Sequence, residues 1–323
     1  MVKTPDELDV IESIVGLAGR VPRGYLRIGD DVAVVPPGRG KLVLKVDMLV
    51  EHTDVPQGMT FREAGRKAVA MCVSDFAAKG VSPDSFMVSL GLRRGVTQGE
   101  VNQLGLGFAD AEKEWGVHLV GGDTNEAREL VIDCAMVGFA ERMVPRGGAS
   151  PGDVLVVTDA FGYPPAGLKI LRGRAVARPR FRRIAKLSVL RPRPNLEVGL
   201  ALAPYLSSAI DSSDGLARSI HTLSKQSGVG FELNTLPMGE GIEEFAGANG
   251  LDPDALVLEG GEEYAIVGTI RESELEAAKE AAGRAGGQLL TIGRANGSGR
   301  VELLTGNTKR RIRNEGWTHL RRS

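Results

Sequence analysis

LVLKVDMLV, residues 42–50, alternates in a way that sets the first half of the fold. Side chains along a strand point to opposite faces in turn. Leu42, Leu44, Val46, Met48 and Val50 therefore share one face, and Val43, Lys45, Asp47 and Leu49 the other. Asp47 interrupts an otherwise apolar strand. A carboxylate in such a place is costly unless it is paired, hydrogen-bonded or bound to a cation. This makes Asp47 a candidate site residue.

On the N-terminal side, Thr4-Pro5-Asp6-Glu7 carries a helix-start signal: Thr4 as cap, Pro5 at the first position and Glu7 closing a capping box. Leu8, Ile11, Ile14 and Val15 then predict an apolar stripe. On the C-terminal side, Thr60 and Glu63 form a second capping box and predict a helix through about residue 79. Strands are expected at 86–92, 117–121 and 130–140, with a helix over 98–115. The Gly-, Pro- and Ser-rich run Pro145–Gly152 marks a boundary, giving expected domains 1–145 and 146–323. In the second half, strands are expected at 153–158, 229–233, 264–270, 288–294 and 300–304. Helices are expected from Asn195, over Ser213–Gln226 and near 271–285. Helices and strands mixed in both halves define an α+β protein.

The chain of 323 residues carries 40 Lys and Arg against 41 Asp and Glu, a formal net charge of -1. Such a balance gives no long-range pull toward nucleic acid or membrane. The Arg-rich stretch 172–193 is accordingly read as a solvated loop or helix face. Aromatics are 5% while Gly numbers 43, which favours tight turns over a base-stacking surface. Cys72 and Cys134, the two cysteines, lie in apolar stretches and read as buried thiols of a reduced cytoplasm. No signal peptide and no apolar run of spanning length is evident, so a cytoplasmic protein is expected.

More acids stand beside Gly or Ser: Asp30 and Asp31 after Gly29, Asp123 after Gly121-Gly122, and Asp211 and Asp214 in IDSSDG. Asp75 follows Met71 by four residues and Cys72 by three, so it points with the apolar face of its helix. A lone GD or GGD marks a turn more often than a site, and SSDG can be a helix cap. Six acids recurring across both halves are harder to dismiss. Hard oxygens hold Mg²⁺, and bare backbone lets phosphates approach. Asp75 and Asp123, like Asp214 and Glu262, lie 48 positions apart, an echo that suggests duplication. No GxxxxGK[ST] loop, protein-kinase signature or GxSxG elbow is present.

Taken in order, IGDDVAV (28–34), KVDMLVE (45–51), GRKAVAMCVSDFAAKGVSP (65–83), LVGGDTN (119–125), RGGASPGD (146–153), AIDSSDGLA (209–217) and EGGEEYAIV (259–267) resemble the thiamine-monophosphate kinase family, of archaeal type. That family belongs to the aminoimidazole ribonucleotide synthetase-like superfamily. The resemblance implies two α+β domains and a homodimer whose N-terminal strands form a shared barrel. It also implies ATP and several Mg²⁺ ions in a cleft lined by both halves. Asp30, Asp47, Asp75, Asp123, Asp211 and Asp214 match the metal ligands. Gly122, Asp123, Arg146 and Ser213 match positions near the ATP phosphates. Asp54, Glu262 and Trp317 match substrate-side positions, with Trp317 placed to stack on a thiamine ring. The activity implied is phosphorylation of thiamine monophosphate by direct in-line transfer with no general base. The chain departs from the pattern at Lys45-Val46, where many members carry two threonines, and at Asp54, where many carry His.

Two alternatives fit the same motifs. One is another ATP-using synthetase of the superfamily. The other is a non-kinase maturation factor, disfavoured because such proteins end in Cys and this chain ends Leu320-Arg321-Arg322-Ser323.

Overall fold

The structure, a computed structural model, describes residues 7–20, 22, 25 and 35–318. The chain divides into two compact units. Residues up to Phe76 with Val81–Arg142 make the first, and Ala77–Gly80 with Met143 onward make the second.

The first unit runs α1 (Glu7–Leu17), β1 (Lys41–Val50), a short α2 (Glu51–Asp54), α3 (Phe61–Lys79), β2 (Ser82–Arg93), α4 (Gln98–Trp115), β3 (His118–Ala127) and β4 (Val131–Ala140). The four strands order as β1-β4-β2-β3, with β2–β3 parallel and the other pairs antiparallel. The alternation read from 42–50 holds. Leu44 is 69% and Met48 53% exposed on the open face, while Leu49 is fully buried on the other. The expected box at Thr60 forms: Glu63 Oε2 accepts from the Thr60 N–H at 2.8 Å, and Thr60 Oγ1 accepts from the Glu63 N–H at 3.2 Å. Thr97 and Glu100 build another at the start of α4.

α3 and α4 approach through glycine. A Cβ on Gly107 would lie 2.2 Å from the Arg62 carbonyl oxygen, and one on Gly65 would lie 2.9 Å from that of Leu104. Real Cβ atoms do not come so close, so these positions admit only hydrogen. Beside this contact Arg66 is buried, its guanidinium forked onto Glu114 at 2.9 and 2.7 Å and lying over the Trp115 ring. Both cysteines are buried thiols, and the Cys72 Sγ donates to the Cys134 carbonyl at 3.2 Å.

The Thr4–Pro5 signal lies outside the described residues. The stripe expected on α1 is rotated: Val10 and Ile14 are buried, but Ile11 is 38% exposed. Residues 10 and 14, four apart, stack on one face, and Ile11 is turned away from it.

The second unit contains β5 (Val154–Val157), α5 (Tyr163–Leu171), α6 (Pro179–Leu190), α7 (Leu196–Leu202), β6 (Leu206–Asp211), α8 (Leu216–Ser227), β7 (Gly230–Leu233), α9 (Ile242–Ala248), α10 (Pro253–Leu258) and β8 (Ile266–Ile270). A 3-10 turn at Glu272–Glu274 leads to α11 (Leu275–Arg284), β9 (Leu290–Asn296), β10 (Val301–Thr305) and β11 (Thr308–Arg311). Its seven strands order as β11-β10-β7-β9-β5-β8-β6. α8 lays Leu216, Ile220 and Leu223 against Leu155, Phe231, Val267 and Ile292 to form the main core. A smaller core holds Phe181 stacked on Phe245, ring centroids 5.0 Å apart. α6 runs through the Arg-rich stretch and exposes Arg180, Arg182 and Arg183, the solvated helix face that the charge balance predicts.

Candidate active site

In the first unit, β1 and α3 bring three charged groups to one point. Lys45 and Asp47, two apart, share the strand face that α3 covers. Asp75 comes down from the helix. The Lys45 Nζ lies 3.0 Å from Asp47 Oδ1 and 2.6 Å from Asp75 Oδ2. Burial alone pulls the Lys45 ammonium down, but Asp75 and then Asp47 outweigh it and hold the group above its ordinary value. Burial pushes the Asp47 carboxyl up against the opposing pull of Lys45, and Asp75 and Asp133 add to the rise. Asp133, on β4, is a residue the sequence reading missed. Its Oδ1 is buried with no hydrogen-bond partner. The available signal was the one that exposed Asp47, a single acid in an apolar strand, VIDCAMVGF.

The other first-unit candidates are placed differently. The Asp54 carboxylate accepts from the Val50 N–H and from Thr53 Oγ1, both at 2.8 Å, and so closes the β1–α2 turn. Gly121-Gly122-Asp123 lies inside β3 and not at a turn. A Cβ on Gly122 would lie 2.2 Å from the Val88 carbonyl oxygen, so the close β2–β3 approach itself requires glycine. Asp123 is exposed in register with Ser89, on the strand at the opposite edge of the sheet from β1. Three strand spacings, roughly 14 Å, separate those edges, so Asp123 does not join Asp47 and Asp75. Asp30 lies outside the described residues.

In the second unit, three separate stretches of chain meet. Asp211 ends β6. The Glu262 N–H donates to the Ser213 carbonyl at 2.7 Å, the Tyr264 N–H to that of Ser212 at 3.1 Å, and the Trp317 N–H to that of Asp214 at 2.9 Å. Asp211, Ser213, Asp214, Glu262 and Trp317 thus belong to one stacked set of loops. Gly261 makes the stacking possible, since a Cβ there would meet the Ser213 carbonyl oxygen at 2.6 Å. Glu262 and Tyr264 take left-handed φ values of 67° and 52°, a strained conformation for residues with side chains. α8 is expected from Ser213 but begins at Leu216, with Gly215 as its uncapped N-cap. Asp214 is therefore not spent on capping the helix. Arg146 is exposed at the start of its loop. The 48-residue echo has no common frame, because Asp75 sits near the end of a helix and Asp214 ahead of one.

Glu263 stands next to this set. Its Oε1 accepts from the Gly162 N–H at 2.6 Å, and burial pushes its carboxyl well above the usual range. A carboxyl whose folded pKa is raised binds more protons folded than unfolded. Its stabilising effect is full below the unfolded value, and stability falls as pH rises from that value toward the folded one. Glu263→Gln keeps the acceptor and removes the titration. Its melting temperature is expected to decline less than that of the wild type between pH 5 and pH 8. Parallel declines would remove Glu263 as the cause.

Among the described residues no group of three or more His, Cys, Asp or Glu side chains converges tightly enough to hold a metal ion unaided. The Asp47–Asp75 pair nonetheless suits magnesium. That ion usually takes one or two carboxylates and completes its shell with waters and substrate phosphates.

Fold and site together define an enzyme of the aminoimidazole ribonucleotide synthetase-like class. Residues 29–140 match the family described as AIR synthase related protein, N-terminal domain. The chain is 36% identical to the thiamine-monophosphate kinase of Nitrosopumilus maritimus over 87% of its own length and 89% of that relative. It is 35% identical to that of Pyrococcus horikoshii, over 91% of each chain. A solved structure described as AaThiL complexed with AMPPCP and TMP superposes with a TM-score of 0.78 at 26% identity, covering 90% of this chain and 91% of that one. The chain belongs to the thiamine-monophosphate kinase family.

Proposed function

We propose that this protein transfers the γ-phosphoryl group of ATP to thiamine monophosphate, giving thiamine diphosphate and ADP. The observation that carries the reading is the 36% identity to a thiamine-monophosphate kinase over nearly the whole of both chains. The charged cluster on β1 and α3 and the stacked loops of the second unit support it.

The acceptor needs no base. A phosphate monoester has a second pKa near 6, so about nine-tenths of it is dianion at pH 7. Two anions must meet, and bound Mg²⁺ would supply the positive charge that lets them do so. Asp47 and Asp75 are proposed as magnesium ligands of the first unit, and Asp211 and Asp214 as magnesium ligands of the second. Asp123, which the sheet keeps apart from Asp47 and Asp75, is proposed together with Asp30 as a ligand of a further ion. Gly122 and Ser213 present backbone to the nucleotide phosphates, and Arg146 offers a forked contact. Glu262 and Asp54 face the substrate, and the half-exposed Trp317 ring gives the thiamine a stacking surface.

Thin-layer or thiochrome analysis of a reaction containing ATP, Mg²⁺ and thiamine monophosphate should show thiamine diphosphate formed at the rate ADP appears. ADP release without thiamine diphosphate would defeat the assignment. Trp317→Ala should raise KM for thiamine monophosphate about tenfold while kcat stays within a few-fold. An unchanged KM would take Trp317 out of the substrate site.

The open face of the first-unit sheet, with Leu42, Leu44, Val46 and Met48 more than half exposed, supports a homodimer closed over these strands. Sedimentation equilibrium should give twice the chain mass, and a monomer at micromolar concentration would rule the dimer out. Among the described residues no helix is long and apolar enough to cross a membrane, which accords with a cytoplasmic enzyme.

A further inference from the structure

Lys45 occupies the point where two candidate metal ligands converge. Its Nζ is within hydrogen-bond reach of one oxygen of Asp47 and one of Asp75, at 3.0 and 2.6 Å. The two acids come from different elements, and what holds them together is a positive charge that both can reach. Asp133 adds further negative charge beside Asp47, with a buried oxygen that no donor satisfies. Two carboxylates facing one point repel each other unless a cation is shared between them. Here the chain brings that cation on its own strand.

We infer that Lys45 is a resident cation of this site. Its ammonium holds the position between Asp47 and Asp75 that a divalent ion would otherwise bridge. The acids of this unit then bind one divalent ion fewer than they would with a neutral residue at position 45. The inference rests on the reading of these acids as a cation site. Its physical basis is exclusion: a unit charge and a double charge a few ångströms apart repel strongly even at an effective dielectric constant of about 20. The ammonium and a metal ion cannot both bridge the pair, so a magnesium ion held by either acid must use the oxygens that Lys45 does not reach. A tethered ammonium is always present, whereas an ion must be recruited from solution. It brings one charge instead of two, and leaves the remaining carboxylate oxygens to whatever ion the nucleotide carries.

The test uses Mn²⁺ alone as probe, counted by equilibrium dialysis on the full chain and located by anomalous diffraction. Lys45→Met should bind one more Mn²⁺ per chain than the wild type, at least about tenfold more tightly than the wild type binds any ion at this pair. Lys45→Arg, which keeps the charge, should match the wild type. An anomalous peak should appear between Asp47 and Asp75 in Lys45→Met only. Equal ion counts in all three proteins overturn the inference and leave the metal reading standing. Should Lys45→Met not fold, the wild-type map decides. Lys45 in place with no peak between the acids supports the inference, and a peak there with Lys45 turned away overturns it. Absence of Mn²⁺ from every variant removes the cation site itself, and the inference with it. The thiamine diphosphate assay stands apart from all of these outcomes.

Discussion

Asp75→Asn should lower kcat by about 10²- to 10³-fold, a loss of the size seen when one preorganised electrostatic group is removed from a reacting centre, here a carboxylate that acts by holding a cation and not by touching the phosphoryl group. The fold should survive. Asp75 is half-buried at the helix–strand contact, and its Oδ2 meets the Lys45 ammonium at 2.6 Å. Asparagine keeps the shape and an acceptor oxygen for that ammonium, while Asp47 remains at 3.0 Å to hold it. What disappears is one of the two negative charges facing the point. Steady-state kinetics with a parallel circular-dichroism melt separates the two effects. Turnover within fivefold of the wild type would remove Asp75 from the machinery. A melt lowered in step with activity would make its role structural.

The largest stability effect is expected at Gly107. Valine there must displace the Arg62 carbonyl oxygen, which lies 2.2 Å from where its Cβ would stand, and the Arg66 amide nitrogen at 2.9 Å. Both belong to the backbone of α3 and cannot swing aside, so the helices must separate. Separation also loosens the Arg66–Glu114 fork and the Arg66–Trp115 stack beside them. Overpacking of this kind costs about 3 kcal/mol or more, a melting point lower by roughly 10 °C. Gly16→Ala makes a useful comparison. It lies in α1 with no heavy atom within 4 Å of the new methyl, and alanine's better helix propensity should leave stability equal or slightly raised. Similar melting points for Gly107→Val and the wild type would show that the interhelical contact tolerates side chains.

Where local chemistry decides an element, the sequence announces it. The alternation in 42–50, the Thr60–Glu63 box and the apolar setting of Cys72 and Cys134 need no distant partner to be read. No helix is expected over the segment Tyr163-Pro164-Pro165-Ala166-Gly167 that opens α5. The structure places Pro164 and Pro165 in its first turn, where a missing N–H costs nothing. The Gly121-Gly122 pair was read as a turn because local rules favour turns for glycine. The strand position follows from a carbonyl on β2 that is remote in sequence.

The site divides in the same way. Asp47 and Asp75 were legible one at a time, each as an acid on an apolar face. Their meeting at Lys45 was not. Position 45 reads in sequence as a lost hydroxyl, and only the packing of α3 onto β1 turns it into a shared counter-charge. Asp214 was legible as an acid beside glycine, but its freedom from capping duty depends on where α8 begins. The stacking of 212–214 against 261–264 and 317 joins segments about fifty and about one hundred residues apart, and no periodicity carries that information.

The left-handed backbone at Glu262 has an evolutionary cost that works against the protein's own robustness. Such a conformation at a residue other than glycine is worth about 1–3 kcal/mol of strain, and at 262 it is borne by a candidate substrate-side carboxylate. Glycine there would relieve the strain and delete that candidate substrate-side carboxylate in one step. Variants chosen only for survival at high temperature should therefore drift toward glycine at 262, becoming hardier and less discriminating together.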